Sequence, residues 1–144
     1  MVGLGLVVAE YYDAVADPMA ERAREAAATR DAEVVAEVRV PGAYDAPLAA
    51  DRLARRDAVD AVVALGAIVT GDTGHDEVIG HATAQALTDV SLDRDVPVTL
   101  GIAGPGMSAA EARERIDKAT EAVEGAVSLA GGLPDADAAT GAGR

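Results

Sequence analysis

The sequence predicts a small doubly wound α/β domain, with four parallel strands and helices on both faces. Strand-like and helix-like patterns alternate four times along the 144 residues. Two of the strand-like runs, residues 4–8 and 61–68, are apolar throughout, as strands covered on both faces must be. A glycine-bracketed turn separates the second of these runs from a helical pattern, which is how such sheets present ligand sites. At this length the chain is one domain and buries roughly two-thirds of the surface its unfolded form exposes.

Each element has its own signal. Residues 1–8 are apolar but too short to span a membrane and lack a basic start, so they read as a first strand rather than a signal peptide. Asp17 followed by Pro18 predicts a helix cap and first helical position, with the helix running to about Arg30. Residues 33–40 alternate, with Val34, Ala36, Val38 and Val40 expected on one face and Glu33, Glu37 and Arg39 on the other. A second helix is expected over 46–56, a third strand over 61–68 and a third helix over 75–89, with Val78, Ile79, Ala82 and Ala86 on its apolar stripe. Gly80 inside that helix costs about 1 kcal/mol against Ala, which predicts close approach by another backbone. The fourth strand is expected over 96–102. Ser108 and Glu111 then form a capping box that opens a long last helix to about Ala130. Residues 1–130 thus make the domain, and the Gly/Ala/Asp-rich residues 131–144 are expected to fray.

Alternation in the second strand and Pro97 in the fourth mark both as edge strands. Right-handed crossovers then give the order 2-1-3-4, a flavodoxin-like sheet. Its ligand site should lie beyond the carboxyl ends of strands one and three, where the winding reverses. The loops that meet there are 9–13, 40–45 and 66–75.

The charge balance narrows the partners. There are 25 acidic against 12 basic residues, with Lys118 the only lysine, giving a net charge of −13. Such a chain is not expected to bind nucleic acid or anionic membranes. At molar salt the Debye length falls to about 3 Å, so a salt-rich cytoplasm suits it. There is no cysteine, which excludes disulfides and thiolate metal sites.

The most informative stretch is Leu65-Gly66-Ala67-Ile68-Val69-Thr70-Gly71-Asp72-Thr73-Gly74-His75. Strand, glycine turn and helix aim backbone N–H groups at an anion, with the helix dipole behind them. His75 stands at the mouth of the turn, where an imidazole can move protons near pH 7. A phosphorylated small molecule undergoing acid–base chemistry is the predicted ligand. The three tyrosines (Tyr11, Tyr12 and Tyr44) all fall in the site loops, and there is no Phe or Trp. Rings at a pocket rim suit a planar ligand that stacks, although tyrosine is also common at loop entrances.

Three segments together resemble a known family. Val40-Pro41-Gly42-Ala43-Tyr44-Asp45-Ala46-Pro47 and the turn through Asp76-Glu77 resemble the 6,7-dimethyl-8-ribityllumazine synthases. Pro97-Val98-Thr99-Leu100-Gly101-Ile102-Ala103-Gly104-Pro105-Gly106-Met107, with Glu114-Arg115-Ile116-Asp117, is similar to the archaeal branch. The likeness runs from about Leu4 to Leu129, and the acidic composition points to a halophilic member. It implies condensation of a ribitylamino-uracil diamine with 3,4-dihydroxy-2-butanone 4-phosphate, releasing phosphate and water, without metal or organic cofactor. Matched by motif, Tyr11 stacks on the pyrimidine, and Ala43, Tyr44 and Asp45 line the ribityl and ring pocket. Ala67, Ile68 and Val69 give main-chain contacts, Asp72 and Thr73 hold the phosphate, and His75 donates the proton. Leu100 and Arg115 match positions offered by a neighbouring subunit. The implied assembly is a homo-oligomer, a pentamer and in some members a 60-subunit shell, with active sites between subunits.

The residue chemistry agrees, with duller readings beside it. A carboxylate is awkward beside a phosphate, so Asp72 is expected to offer only its amide, whereas Arg115 suits bidentate binding. His75 could instead cap the third helix, Asp45 the second, and Arg115 could be an ordinary surface charge beside the Ala112, Ile116, Ala119, Val123 stripe. His81 lies six residues beyond His75, off the helical spacing of a zinc pair. Tyr11 stands where the family usually has Phe, Tyr12 where Asn is common, and Thr70 where many bacterial members have Arg. Two rivals share the fold. Archaeal riboflavin synthase generally lacks the Gly-x-Thr-x-His turn present here, and a non-catalytic flavin-binding or shell protein would leave His75 and Arg115 idle.

Overall fold

Four parallel strands, β1 (Val2–Ala9), β2 (Ala32–Val40), β3 (Ala61–Ala67) and β4 (Val98–Ala103), lie in the expected order β2-β1-β3-β4 in the computed structural model, which describes residues 1–71 and 73–133. The helices are α1 (Asp13–Ala28), α2 (Ala46–Ala54), α3 (His75–Arg94), α4 (Ala109–Arg113) and α5 (Lys118–Ala130), with a 3₁₀ turn at Ala43–Asp45. Strands β1 and β3 pair from Leu4 with Ala61 to Val8 with Leu65. Their alternate side chains enter two separate cores, which is why both runs are apolar throughout. Leu4, Leu6, Val63 and Leu65 pack with Met19 of α1 and Val123 of α5. Val7, Val62 and Ala64 pack on the other face with Leu53 of α2 and Leu87 and Val90 of α3. Among the described residues no helix is long and apolar enough to cross a membrane.

Five expectations are corrected. Helix α1 begins at Asp13, so Pro18 lies inside it and Asp17 caps nothing. Burial of Val15 and Ala16 in the first turn outweighs the one hydrogen bond that proline removes. The Asp17 carboxylate accepts a hydrogen bond from Arg39 at 2.6 Å instead.

Strand β2 carries a bulge. Leu4 pairs with Val34 but Gly5 pairs with Ala36, leaving Val35 as the extra residue. One extra residue exchanges the faces of everything after it. Val34 therefore joins the α1/α5 core, whereas Ala36, Val38 and Val40 join the α2/α3 core. Simple alternation had put all four on one side.

The last helix is broken. The capping box is present, with the Glu111 N–H donating to Ser108 Oγ at 3.1 Å and the Ser108 N–H to Glu111 Oε1 at 3.0 Å. It opens only α4. The N–H groups of Glu114, Arg115, Lys118 and Ala119 then donate to carbonyls three residues back, a 3₁₀-like tightening between α4 and α5. Ser108→Ala is expected to lower unfolding free energy by about 1 kcal/mol, measurable by denaturant titration.

On α3 the buried residues are Asp76, Thr83, Leu87 and Val90, while Val78 is 63% exposed. Two polar residues thus occupy the inner stripe, where an apolar pattern had selected Val78 and Ala82. A Cβ on Gly80 would lie 2.7 Å from the Pro105 ring, so its close neighbour is a side chain rather than another backbone. Gly131, Gly132 and Leu133 follow α5, and residues 134–144 lie outside the described residues.

Candidate active site

A cleft of about 320 Å³ opens beyond the carboxyl ends of β1 and β3, at the reversal of winding. Each wall comes from a loop leaving a strand. After β1, Tyr11 and Tyr12 form one side, their rings edge to face with centroids 4.9 Å apart. Tyr12 is half-buried against the α1/α5 core and its carbonyl accepts the first N–H groups of α1. Tyr11 is 76% exposed, with the Tyr12 ring buttressing it.

After β2, the 3₁₀ turn presents Ala43 and Tyr44. The Asp45 carboxylate accepts the Gly42 N–H at 3.0 Å, closing that turn rather than capping α2 with its side chain. Asp45 does not itself line the cleft. From α3 the buried Thr83 hydroxyl donates to the Ala43 carbonyl at 3.4 Å.

After β3, Ala67, Ile68 and Val69 make the floor, and the Ile68 N–H is committed to the Ala103 carbonyl at 2.8 Å. His75 is the first residue of α3, exposed, and lines the cleft. The N-cap position of α3 is Gly74 rather than His75.

Seven predicted residues therefore converge: Tyr11, Ala43, Tyr44, Ala67, Ile68, Val69 and His75. Thr73, Leu100 and Arg115 do not line the cleft, and Asp72 lies outside the described residues. Leu100, on edge strand β4, is 44% exposed. Arg115 is exposed in the turn between α4 and α5. Hydrogen bonds with Ser108 hold the Glu111 carboxyl below the usual carboxylate range, and Arg115 adds a smaller pull.

Tyr12, Gly42, Gly71, Asp76 and Ile79 complete the lining; the first three lie in the expected site loops, whereas Asp76 and Ile79 were missed. Ile79 follows His75 by one helical turn, a spacing that could have found it. Asp76 gave no signal, because a charged residue in a first helical turn usually faces water.

Six of the eleven arginines and lysines among the described residues are already engaged. Arg22 pairs with Asp117, Arg24 with Glu37 and Arg30 with Glu124, Arg39 meets Glu10, Asp17 and Glu37, and Arg55 and Arg94 share Asp51. Among the described residues, those in no such pair are Arg52, Arg56, Arg113, Arg115 and Lys118. Three of them stand within residues 113–118, so free positive charge is concentrated there. A second cleft, of about 520 Å³, lies near Asp60, Val96 and Leu129 and presents neither a histidine nor a cation. Its size does not make it the reactive site.

Comparison with known proteins bears on the chemistry. The family model described as 6,7-dimethyl-8-ribityllumazine synthase matches residues 2–133. A protein of that name from Halorubrum lacusprofundi is 71% identical over 130 residues, covering 90% of this chain and 97% of the relative. One from Halobacterium salinarum is 66% identical over 129 residues, covering 90% and 97%. Another, from Methanococcus aeolicus, is 45% identical over 135 residues, covering 94% and 99%.

Proposed function

The chain belongs to the 6,7-dimethyl-8-ribityllumazine synthase family, and on that premise we propose that the cleft behind β1 and β3 holds its reacting groups. The activity is that of a transferase of riboflavin biosynthesis. It condenses 5-amino-6-(D-ribitylamino)uracil with 3,4-dihydroxy-2-butanone 4-phosphate and releases phosphate and water.

The observation that carries the site assignment is the placement of His75 on one cleft with Tyr11, Tyr44 and the floor 67–69. Tyr11 stacks on the pyrimidine, while Ala43, Tyr44 and Asp45 bound the ribityl chain. Asp45 is exposed and has acceptor capacity left after its bond to Gly42. Imine formation expels water and phosphate elimination needs a proton moved. His75 serves both as general acid–base group. The turn 71–75, with the amides of Asp72 and Thr73 at the start of α3, takes the phosphate.

Among the described residues, the lining of this cleft includes no arginine or lysine. Arg115, with Leu100, is supplied by the next subunit of a homo-oligomer, a pentamer or a shell of twelve pentamers. Support comes from the exposure of both residues and from the free charge on 113–118. Mixing the protein with diamine and butanone phosphate is expected to give lumazine absorbance with phosphate release. Lumazine alone turning into riboflavin would instead identify a riboflavin synthase, and flavin binding without turnover a carrier.

Packing many copies of a chain of charge −13 depends on screening. Lowering salt from about 1 M to about 0.1 M lengthens the Debye length from about 3 to about 10 Å. Dissociation or loss of activity is the expected result. Light scattering that showed an unchanged, active assembly in salt-free buffer would contradict it.

A further inference from the structure

Both ends of the proposed phosphate turn are tied to two consecutive residues of another loop. At one end the Thr70 N–H donates to the Met107 carbonyl at 2.8 Å. At the other the Asp76 carboxylate accepts the Gly106 N–H at 3.1 Å. Asp76 is only 6% exposed and, with Thr83, is one of two buried polar side chains among the described residues. Burying a carboxylate costs free energy unless it is hydrogen-bonded, so this contact has a structural task.

The loop it holds is seated tightly. Gly104 has φ +94°, and a Cβ there would lie 2.0 Å from the Ile68 carbonyl oxygen. Pro105 rests on the bare face of Gly80 in α3. After Met107 the chain passes through Ser108 into α4 and the segment carrying Arg115.

We infer that Asp76 is a positioning residue that sets the mouth of the phosphate turn by stapling the first turn of α3 to Gly106. His75, its neighbour in sequence, is held with it. The inference rests on the reading of residues 71–75 as the phosphate site. It assigns Asp76 no contact with either substrate's reacting atoms. A loosened staple lets the turn open, so phosphate binding suffers while the diamine, held by Tyr11 and Tyr44 across the cleft, does not notice.

Three variants of the full chain, assayed at high salt, test this. Asp76→Ala is expected to raise the Michaelis constant for the butanone phosphate about 10-fold, with that for the diamine changed less than about 2-fold. Asp76→Asn keeps an acceptor oxygen at the same reach and should recover most of the loss. Gly80→Ala, whose Cβ meets Pro105 at 2.7 Å, displaces the same loop from its other side and should reproduce the split. Amide exchange over 104–107 should quicken in Asp76→Ala and not in Asp76→Asn.

Michaelis constants that rise together in every variant, with a lowered denaturation midpoint, would reduce Asp76 to a general structural residue and overturn the inference. If Asp76→Ala fails to fold, the Gly80→Ala split and the Asn rescue decide. Absence of lumazine from the unaltered protein overturns the functional reading and this inference with it. An active parent with unchanged Asp76→Ala kinetics and exchange overturns this inference alone.

Discussion

His75→Gln is expected to lower turnover by about 10- to 1000-fold while diamine affinity stays within about 2-fold. Glutamine keeps the length and a hydrogen-bonding end but cannot take and return a proton, so the substitution isolates proton transfer. The position allows that reading. The imidazole opens α3 on the cleft wall, just after the N-cap Gly74, and the carboxylate beside it is occupied by the Gly106 N–H. Steady-state rates at saturating substrates, with diamine affinity by fluorescence titration, separate the outcomes. Intact turnover with weakened diamine binding would make His75 a binding residue. Any uncatalysed condensation sets a floor under the loss, so the rate must be compared with the buffer reaction.

Strand order and the place of the cleft were legible because each rests on a strong local signal. Continuous apolar runs mark β1 and β3 as central, while Pro97, expected inside the fourth strand, lies immediately before edge strand β4. The aromatic count led to the cleft, since all three tyrosines do line it. What escaped depends on tertiary contacts. The bulge at Val35 changes which face Val34 shares with Ala36, and nothing in an alternating run announces an extra residue. Pro18 reads as a helix start until burial of Val15 and Ala16 draws the helix back by a turn. The break between α4 and α5 crosses an unbroken apolar stripe, as Ala112, Ile116 and Ala119 keep packing while the backbone tightens. Asp76 was invisible for the same reason, its partner Gly106 being thirty residues away. Leu100 and Arg115 line neither of the two clefts described above, so their expected role had no support from this geometry.

Arg115→Ala is expected to cost about 2–4 kcal/mol in transition-state stabilisation, read as a higher Michaelis constant for the butanone phosphate. That substrate carries nearly two negative charges and must approach a protein of charge −13, so some local cation has to offset the repulsion. The described cleft lining offers none. Among the described residues Arg115 is in no ion pair, and it stands between Arg113 and Lys118 with Glu114 and Asp117 interleaved. Its planar fork matches a phosphate better than an ammonium does, so Arg115→Lys should recover only part of the loss. Diamine binding should be nearly untouched. A large effect from Arg113→Ala with none from Arg115→Ala would move the phosphate ligand two residues back along the chain. Supply from a neighbour makes a sharper demand. Chains carrying His75→Gln and chains carrying Arg115→Ala, each impaired alone, should regain activity when unfolded and reassembled together. In a one-to-one mixture roughly a quarter of head-to-tail interfaces pair an intact His75 with an intact Arg115. Failure of such mixtures to exceed the separate variants, with mixed assembly confirmed by mass spectrometry, would place Arg115 in its own chain's site or in none.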